Sequence, residues 1–392
     1  MAEAVIASAV RSAIGTYGGA LRDVTPVTLG QVAVEAAISR SAVAAEAVNE
    51  VILGMIYQGG QGPNPARQAA VKSGVPYSAP AMTVNKMCGS GLKAIALAAA
   101  AVRSGDAQVV VAGGMESMSG VVYGLAGSRW GERMGHSQVT DLMIMDGLWD
   151  CFYDCHMGTT AENLASEYGI SRQEQDRYAL LSQDRYSAAH AAGRFADEIV
   201  PLEIPQRRGE PTVFDVDEHP RKDVSLEGLG QLRPAFDKQG TVTAGNASGL
   251  NDGAAAMTVI SEAVAETAGI EPLARVVDSV SVGVDPRVMG IGPAPAIEQL
   301  LQRNDLTLDD IDLLEVNEAF AAQVLAVGRR LDWDVDRVNV NGGAIALGHP
   351  VGASGARVAV TLLHEMRRRQ VRRGIAALCI GGGMGIAVLF EC

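Results

Sequence analysis

Positive charge, aromatic residues, cysteines and long apolar runs are all scarce in this chain. Lys and Arg number 32 against 45 Asp and Glu, a formal net charge of −13 over 392 residues. A surface of that sign repels nucleic acid and anionic membranes, and neither is expected as a partner. Aromatics make up 4% of residues while hydrophobic residues make up 48%, a globular composition rich in small packing residues that excludes a disordered chain. The length suggests two or three domains and a core large enough to need no disulfide or structural metal. The five cysteines (Cys88, Cys151, Cys155, Cys379 and Cys392) follow no framework spacing and read as free thiols of a reducing compartment. The one membrane-like stretch, Gly374 to Phe390, has 17 uncharged residues including five glycines. It is shorter than the ~20 residues a spanning helix needs and reads as two buried strands on a Gly-rich turn. The opening MAEAVIASAVRSAIG has no signal or transit pattern, so a cytoplasmic location is expected.

What the chain does contain is a repeat. The stretch from Thr83, TVNKMCGSGLKAIALAAAAVRSGDAQVVVAGG, has a counterpart from Arg337, RVNVNGGAIALGHPVGASGARVAVTLL, at an offset of 264 that lays Gly89-Ser90-Gly91 over Ala353-Ser354-Gly355. Each half reads strand, helix, strand, small-residue turn, helix, then two apolar strands joined by glycines. That alternation predicts α/β layers built from a duplicated unit. Between the halves the texture loosens. A helix from Ser171 to about Gly193 opens on a Ser cap with Glu three residues on, and Pro201, Pro205, Pro211 and Pro220 then punctuate a loop-rich stretch. The expected organisation is an N-terminal half (1–118 with 247–270), a loop-rich insertion (119–246) and a C-terminal half (271–392). Long loops on a rigid scaffold usually serve binding.

Four groups of residues are suited to chemistry. Cys88 falls on a strand-to-helix turn, where the helix N-terminus favours thiolate and the Cys88 N–H is available to an oxyanion; a lone Cys is otherwise an ordinary small core residue. His349, wedged between Gly348 and Pro350, is held in the matching turn of the second half, placed to act as a base or donor. If the two turns face each other, they pair a nucleophile with its activator. Cys379 precedes Gly381-Gly382-Gly383, a buried thiol beside exposed N–H groups. Asn317, ending the apolar IDLLEV with Glu318, reads as a helix cap or as a holder of a water or carbonyl in the site. Two decoys carry less. Cys151, Cys155 and His156 lack a second ligand pair for zinc. The run Arg367-Arg368-Arg369, Arg372-Arg373 closes a helix stopped by Gly374, where cations offset the macrodipole.

CGSG, NEAFA, GHPVGASG and CIGGGMG, in this order and spacing, resemble the thiolase family, as do HMGTTAEN from His156 and RPAFDKQGTVTAGNASGLNDGAAA from Arg233. The resemblance covers essentially the whole chain and is strongest to the biosynthetic branch. It implies the thiolase-like fold: two pseudo-symmetric α/β halves in α-β-α-β-α layers with a loop-rich insertion in the first. It implies that Cys88 carries an acetyl group, that His349 takes the thiol proton, and that Cys379 removes an α-proton from a second acetyl-CoA. His349 with a water on Asn317 would form one oxyanion hole, and the N–H groups of Cys88 and Gly381 the other. Leu148, His156, Met157, Arg221, Phe236, Ala244, Ser248, Ala319 and Phe320 would line the coenzyme A tunnel, with Met157 and Met289 as walls of the acyl site. Coenzyme A thioesters are substrates, and no cofactor or metal is implied. The stretch Val121 to Gln138 resembles the loop that joins dimers, implying a homotetramer. One departure is His219, where the biosynthetic branch would have tyrosine. Two rival readings remain: a degradative 3-ketoacyl-CoA thiolase with a roomier pocket, and a thiolase-like binder of CoA or lipid without catalysis, disfavoured because both cysteines and the histidine are present together.

Overall fold

The computed structural model describes residues 2–206 and 208–392. Apolar strands too hydrophobic for a solvent face are covered on both sides by helices, which builds layers. In the first half, β1 (Ala4–Ser12), α1 (Pro26–Arg40), β2 (Glu50–Gly54), α2 (Pro65–Lys72), β3 (Ala81–Val84), α3 (Ser90–Ser104) and β4 (Val109–Ser117) follow in order. The insertion then contributes α4 (Met157–Glu167) and α5 (Arg172–Ala191), and the chain returns as β5 (Asn251–Ser261). The second half supplies β6 (Ala274–Gly283), α6 (Pro293–Arg303), β7 (Leu313–Val316), α7 (Ala321–Leu331), the single turn α8 (Ala344–Leu347), α9 (Val351–Arg369), β8 (Arg373–Ile380) and β9 (Met384–Glu391). The expected Ser cap of α5 is present as a full capping box between Ser171 and Glu174.

The strands run in the order β7-β8-β9-β6-β1-β5-β4-β2-β3. Each half pairs parallel at its outer edge and antiparallel inward, as β4 with β2 and β8 with β7 show. The two halves of this continuous sheet join through a two-residue antiparallel pairing, Val5 with Arg275 and Ile6 with Ala274, and each half serves as one β layer. Helices α3 and α9 fill the space between these layers, burying Leu92, Ile95, Val358 and Leu362 against both. Outside them, α1 and α2 cover the first layer, and α6 covers the second. The five expected layers are therefore present.

In one respect the halves differ from the expectation. Among the described residues, two adjacent apolar strands joined by glycines occur in the second half alone, where β8 and β9 flank Gly381–Gly383. In the first half the equivalent antiparallel partners are β4 and β5, paired from Ser117–Asp252 to Val109–Ile260. The whole insertion enters where the second half has its glycine turn.

Candidate active site

Cys88 lies between β3 and α3, two residues ahead of the helix. Met87 before it adopts a left-handed φ of 49°, which costs energy for a residue with a Cβ. Ser90 locks that turn: its Oγ accepts from the Lys86 N–H at 2.8 Å and donates to the Met87 carbonyl at 2.6 Å. His349 sits in the corresponding place of the second half. Its own N–H donates to Asn251 Oδ1 at 2.8 Å, and Pro350 caps α9. The sequence reads 348–355 as one turn, but α9 already begins at Val351, so Gly352 to Gly355 form its first turns. These residues are small because α3 and α9 cross there. A Cβ on Gly91 would lie 2.7 Å from the Ala356 nitrogen, and one on Gly355 would lie 2.3 Å from the Leu92 nitrogen. The repeated glycines let the two helix N-termini approach, and with them Cys88 and His349.

Hydrogen bonds select the tautomer of His349. Ser354 Oγ donates to the Pro350 carbonyl at 2.9 Å, so its lone pair accepts from Nδ1–H of His349, 2.6 Å away. The other ring nitrogen is left as an acceptor, and Asn317 Nδ2 donates to it at 3.4 Å. Asn317 is fully buried and lies ahead of α7, which Phe320 caps, so it is not a helix cap; its Oδ1 has no partner among the described residues. Burial, and then the Arg357 guanidinium, lower the His349 pKa to about 3, leaving the imidazole neutral. The Cys88 thiol departs from the expectation of an early-ionising helix-terminal thiol. Burial pushes it up to about 11, although the backbone amides of Gly381 and of Cys88 itself pull the other way. Cys379 is 1% exposed, and burial, then the neighbouring Cys88, raise it well above the usual thiol range.

Cys88 and His349 share the wall of a cavity of about 420 Å³. From the insertion, Leu148, His156, Met157, Arg221, Phe236 and Ala244 line it, joined by Ser248 just before β5. The second half adds Met289, Ala319 and Phe320. Cys379 stands behind this lining in one apolar cluster with Met157, Met289, Ala319 and Phe320. His156 caps α4 through Nδ1 and stacks on Phe236 at 4.7 Å, while Phe236 meets Phe320 edge-on. Arg221 reaches across the mouth, donating to the Ala244 carbonyl at 2.8 Å. His219 is half-buried: Nδ1 meets Thr16 Oγ1 at 3.2 Å, and the ring packs on Gly249. Burial, then Arg221, lower its pKa to about 4.

Sequence reasoning missed Ser354 and the lining residues Met118, Met143, Thr243 and Val351. Ser354 is hidden by its glycine-rich setting, although a hydroxyl five residues after the histidine, one turn past Pro350, is a usable signal. The lining residues carry no pattern of their own. Cys155 and His156 pair with Trp149 and Asp150 in a short hairpin. Among the described residues, no three His, Cys, Asp or Glu are grouped to hold a metal, and no helix is long and apolar enough to cross a membrane. The arginine run closes α9, where Arg369 pairs with Glu365 at 2.6 Å; the helix ends at Gln370 in a left-handed conformation rather than at Gly374.

Two family models match in tandem: "Thiolase, N-terminal domain" over residues 4–263 and "Thiolase, C-terminal domain" over 270–392. The chain belongs to the thiolase family. As a thiolase it is an acyltransferase, of the acetoacetyl-CoA thiolase type. It is 55% identical over 391 residues to the acetyl-CoA acetyltransferase of Cupriavidus necator, covering all of both chains. It is also 55% identical over 388 residues to that of Pseudomonas aeruginosa, covering 99% of each. Among solved structures, the Bacillus anthracis acetyl-CoA acetyltransferase matches with a TM-score of 0.98 at 49% identity, over 100% of this chain and 99% of that one. The human mitochondrial 3-ketoacyl-CoA thiolase in complex with CoA matches with a TM-score of 0.95 at 44% identity, over 100% and 98%.

Proposed function

We propose that this thiolase is an acetyl-CoA C-acetyltransferase, condensing two acetyl-CoA into acetoacetyl-CoA and CoA, and running the reverse thiolysis, through an acetyl group held on Cys88. The reading rests on one juxtaposition: the Cys88 thiol at the entry to α3 shares a cavity wall with His349, an imidazole whose unprotonated nitrogen is turned to Asn317. His349 Nε2 takes the Cys88 proton, and the sulfur attacks the thioester carbonyl. The N–H groups of Cys88 and Gly381 receive the oxyanion, where loss of one donor typically costs ~2.7–4 kcal/mol. The carbon–sulfur bond to CoA breaks, and CoA leaves as a thiol with the Cys379 proton. Burial makes the Cys379 thiolate a strong base, and the His349 imidazolium offsets its charge. It removes an α-proton from the second acetyl-CoA. The enolate oxygen is held by protonated His349 and a water on Asn317 Oδ1. Attack on acetyl-Cys88 forms the carbon–carbon bond and expels the Cys88 thiolate, which recovers its proton from His349. Every proton has a residue at each step, and no cofactor is required.

Coenzyme A is assigned to the lined cavity, with Arg221 at its mouth meeting an anionic nucleotide end; the CoA-bound human relative supports this. Exposed Tyr123, Trp130 and Met134 in the stretch 121–138 support assembly as a homotetramer, and the composition supports a cytoplasmic location. Rapid quench with acetyl-CoA followed by peptide mass spectrometry should find the acetyl group on Cys88. Label confined to another cysteine would overturn the assignment. Acetoacetyl-CoA should exceed an eight-carbon 3-ketoacyl-CoA by at least ~10-fold in thiolysis kcat/KM, about 1.4 kcal/mol. Equal or faster turnover of the longer substrate would move the chain to the degradative class.

A further inference from the structure

The polar pair ending β7 has two members, and the cycle above uses only Asn317. Glu318 is 1% exposed, and its carboxylate is met by four donors. Oε1 accepts from the Tyr178 hydroxyl and from Asn339 Nδ2, both at 2.9 Å. Oε2 accepts from Ser182 Oγ at 2.7 Å and from the Ile345 N–H at 3.1 Å. Tyr178 and Ser182 belong to α5 of the insertion; Asn339 and Ile345 belong to the segment that leads into His349. Asn339 also clamps the residue before Asn317, accepting from the Val316 N–H at 2.7 Å and donating to its carbonyl at 2.8 Å. The backbone passes hard against the carboxylate, since a Cβ on Gly343 would lie 2.2 Å from Glu318 Cδ.

One carboxylate thus ties together the loop that carries Asn317, the segment that leads into His349, and helix α5 of the insertion. We infer that Glu318 is a positioning residue that sets the separation of Asn317 and His349, and so the oxyanion site for the enolate. The inference rests on the acetyl-transfer reading. A fixed hub suits this task, because a misplacement of ~1 Å in reacting groups can cost 10²-fold in rate.

Glu318→Gln tests it. The side chain keeps its shape, but its new NH₂ must face either Asn339 Nδ2 or the Ile345 N–H, and neither can turn to accept. The readout is turnover per site, with active sites counted by acetylation of Cys88 and chemistry followed by condensation and by exchange of acetyl α-protons into deuterated water. The expected result is a titre near that of the wild type, condensation and exchange per site lower by ~10–10²-fold, and a KM for acetyl-CoA changed by less than ~3-fold. Turnover per titrated site within twofold of wild type, or a loss confined to KM, would mean the carboxylate only fastens the insertion, and would overturn the inference. If Glu318→Gln does not fold, Tyr178→Phe and Ser182→Ala each remove one donor and leave the charge. Each should lower turnover per site by ~3–10-fold, and unchanged turnover in both would overturn the inference as well. A wild-type chain that acetyl-CoA does not label on Cys88 would defeat the acetyl-transfer reading itself, a failure separable from any result on Glu318.

Discussion

A thiol beside a helix N-terminus ordinarily ionises early, yet Cys88 rests protonated beside a neutral imidazole. The amides of Cys88 and Gly381 favour the thiolate, but the apolar walls of the cavity disfavour it more, and the thiol is pushed up to about 11. His349, lowered to about 3, does not gain a proton near neutral pH. The resting pair is therefore thiol and imidazole, and the charged pair forms only during reaction. This predicts the pH course of alkylation. Because the thiolate fraction is still rising at pH 10, the rate of Cys88 carbamidomethylation by iodoacetamide should climb ~10-fold per pH unit from 7 to 10. A plateau beginning near pH 6 would show a preformed ion pair and contradict this account. The residues proposed to react stand out in the sequence because each breaks a local rule: a cysteine between a strand and glycines, a histidine between Gly and Pro, a second thiol before three glycines. Their protonation does not, since burial depends on walls assembled from segments far apart in sequence.

At the level of elements, the offset of 264 was readable because both central helices keep the same small residues at their crossing. Gly91 and Gly355 stand at equivalent positions, and each lies against the backbone of the other helix. Adding a methyl group at either should cost ~1–3 kcal/mol by overpacking, measured as a shift in the urea midpoint. Single-turnover acetylation of Cys88 should fall further than that loss explains, because these helices carry Cys88 and His349 ahead of their first turns. Gly105 is the control: it ends α3 with φ 82° and has open space where a Cβ would sit. Gly105→Ala should destabilise by roughly 1–2 kcal/mol through backbone strain alone and leave acetylation per folded molecule unchanged. Equal effects at Gly91 and Gly105 would remove the crossing from the argument. What the sequence did not disclose was the partner of β4. An apolar run wants an apolar neighbour, but nothing local says that the neighbour is β5, beyond the insertion. The two-residue join of the sheet halves at Val5 and Ile6 is likewise too short to leave a pattern.

At the scale of the molecule, the insertion must be held over a cavity whose proposed catalytic residues, Cys88 and His349, come from the two halves. Arg11 of β1 does much of this. Its side chain is fully buried and donates to Glu198 Oε1 at 2.6 Å and to both oxygens of Asp217, at 2.7 and 2.9 Å. Burial alone would lower its pKa, but Asp217 and Glu198 outweigh that and keep it charged. Glu198 also accepts from Thr361 of α9 at 3.2 Å, and Asp217 from the Ile14 N–H at 2.9 Å, so the network touches both halves and the base of the insertion. Asp217 stands close in sequence to Arg221, which lines the cavity. Arg11→Ala would leave two carboxylates buried without their cation, a change that costs ~3–5 kcal/mol. An exposed pair such as Arg22–Asp23, by contrast, is worth no more than ~1 kcal/mol. Thermal denaturation should therefore separate Arg11→Ala clearly from Arg22→Ala. Arg11→Lys, which keeps the charge but loses the fork, should fall between them. In the folded fraction of Arg11→Lys, the KM for acetyl-CoA should rise more than kcat falls, because the insertion's grip on the nucleotide end loosens while Cys88, His349 and Cys379 stay in place. If kcat falls and KM holds, the network acts on the chemistry through α9 rather than on binding through the insertion.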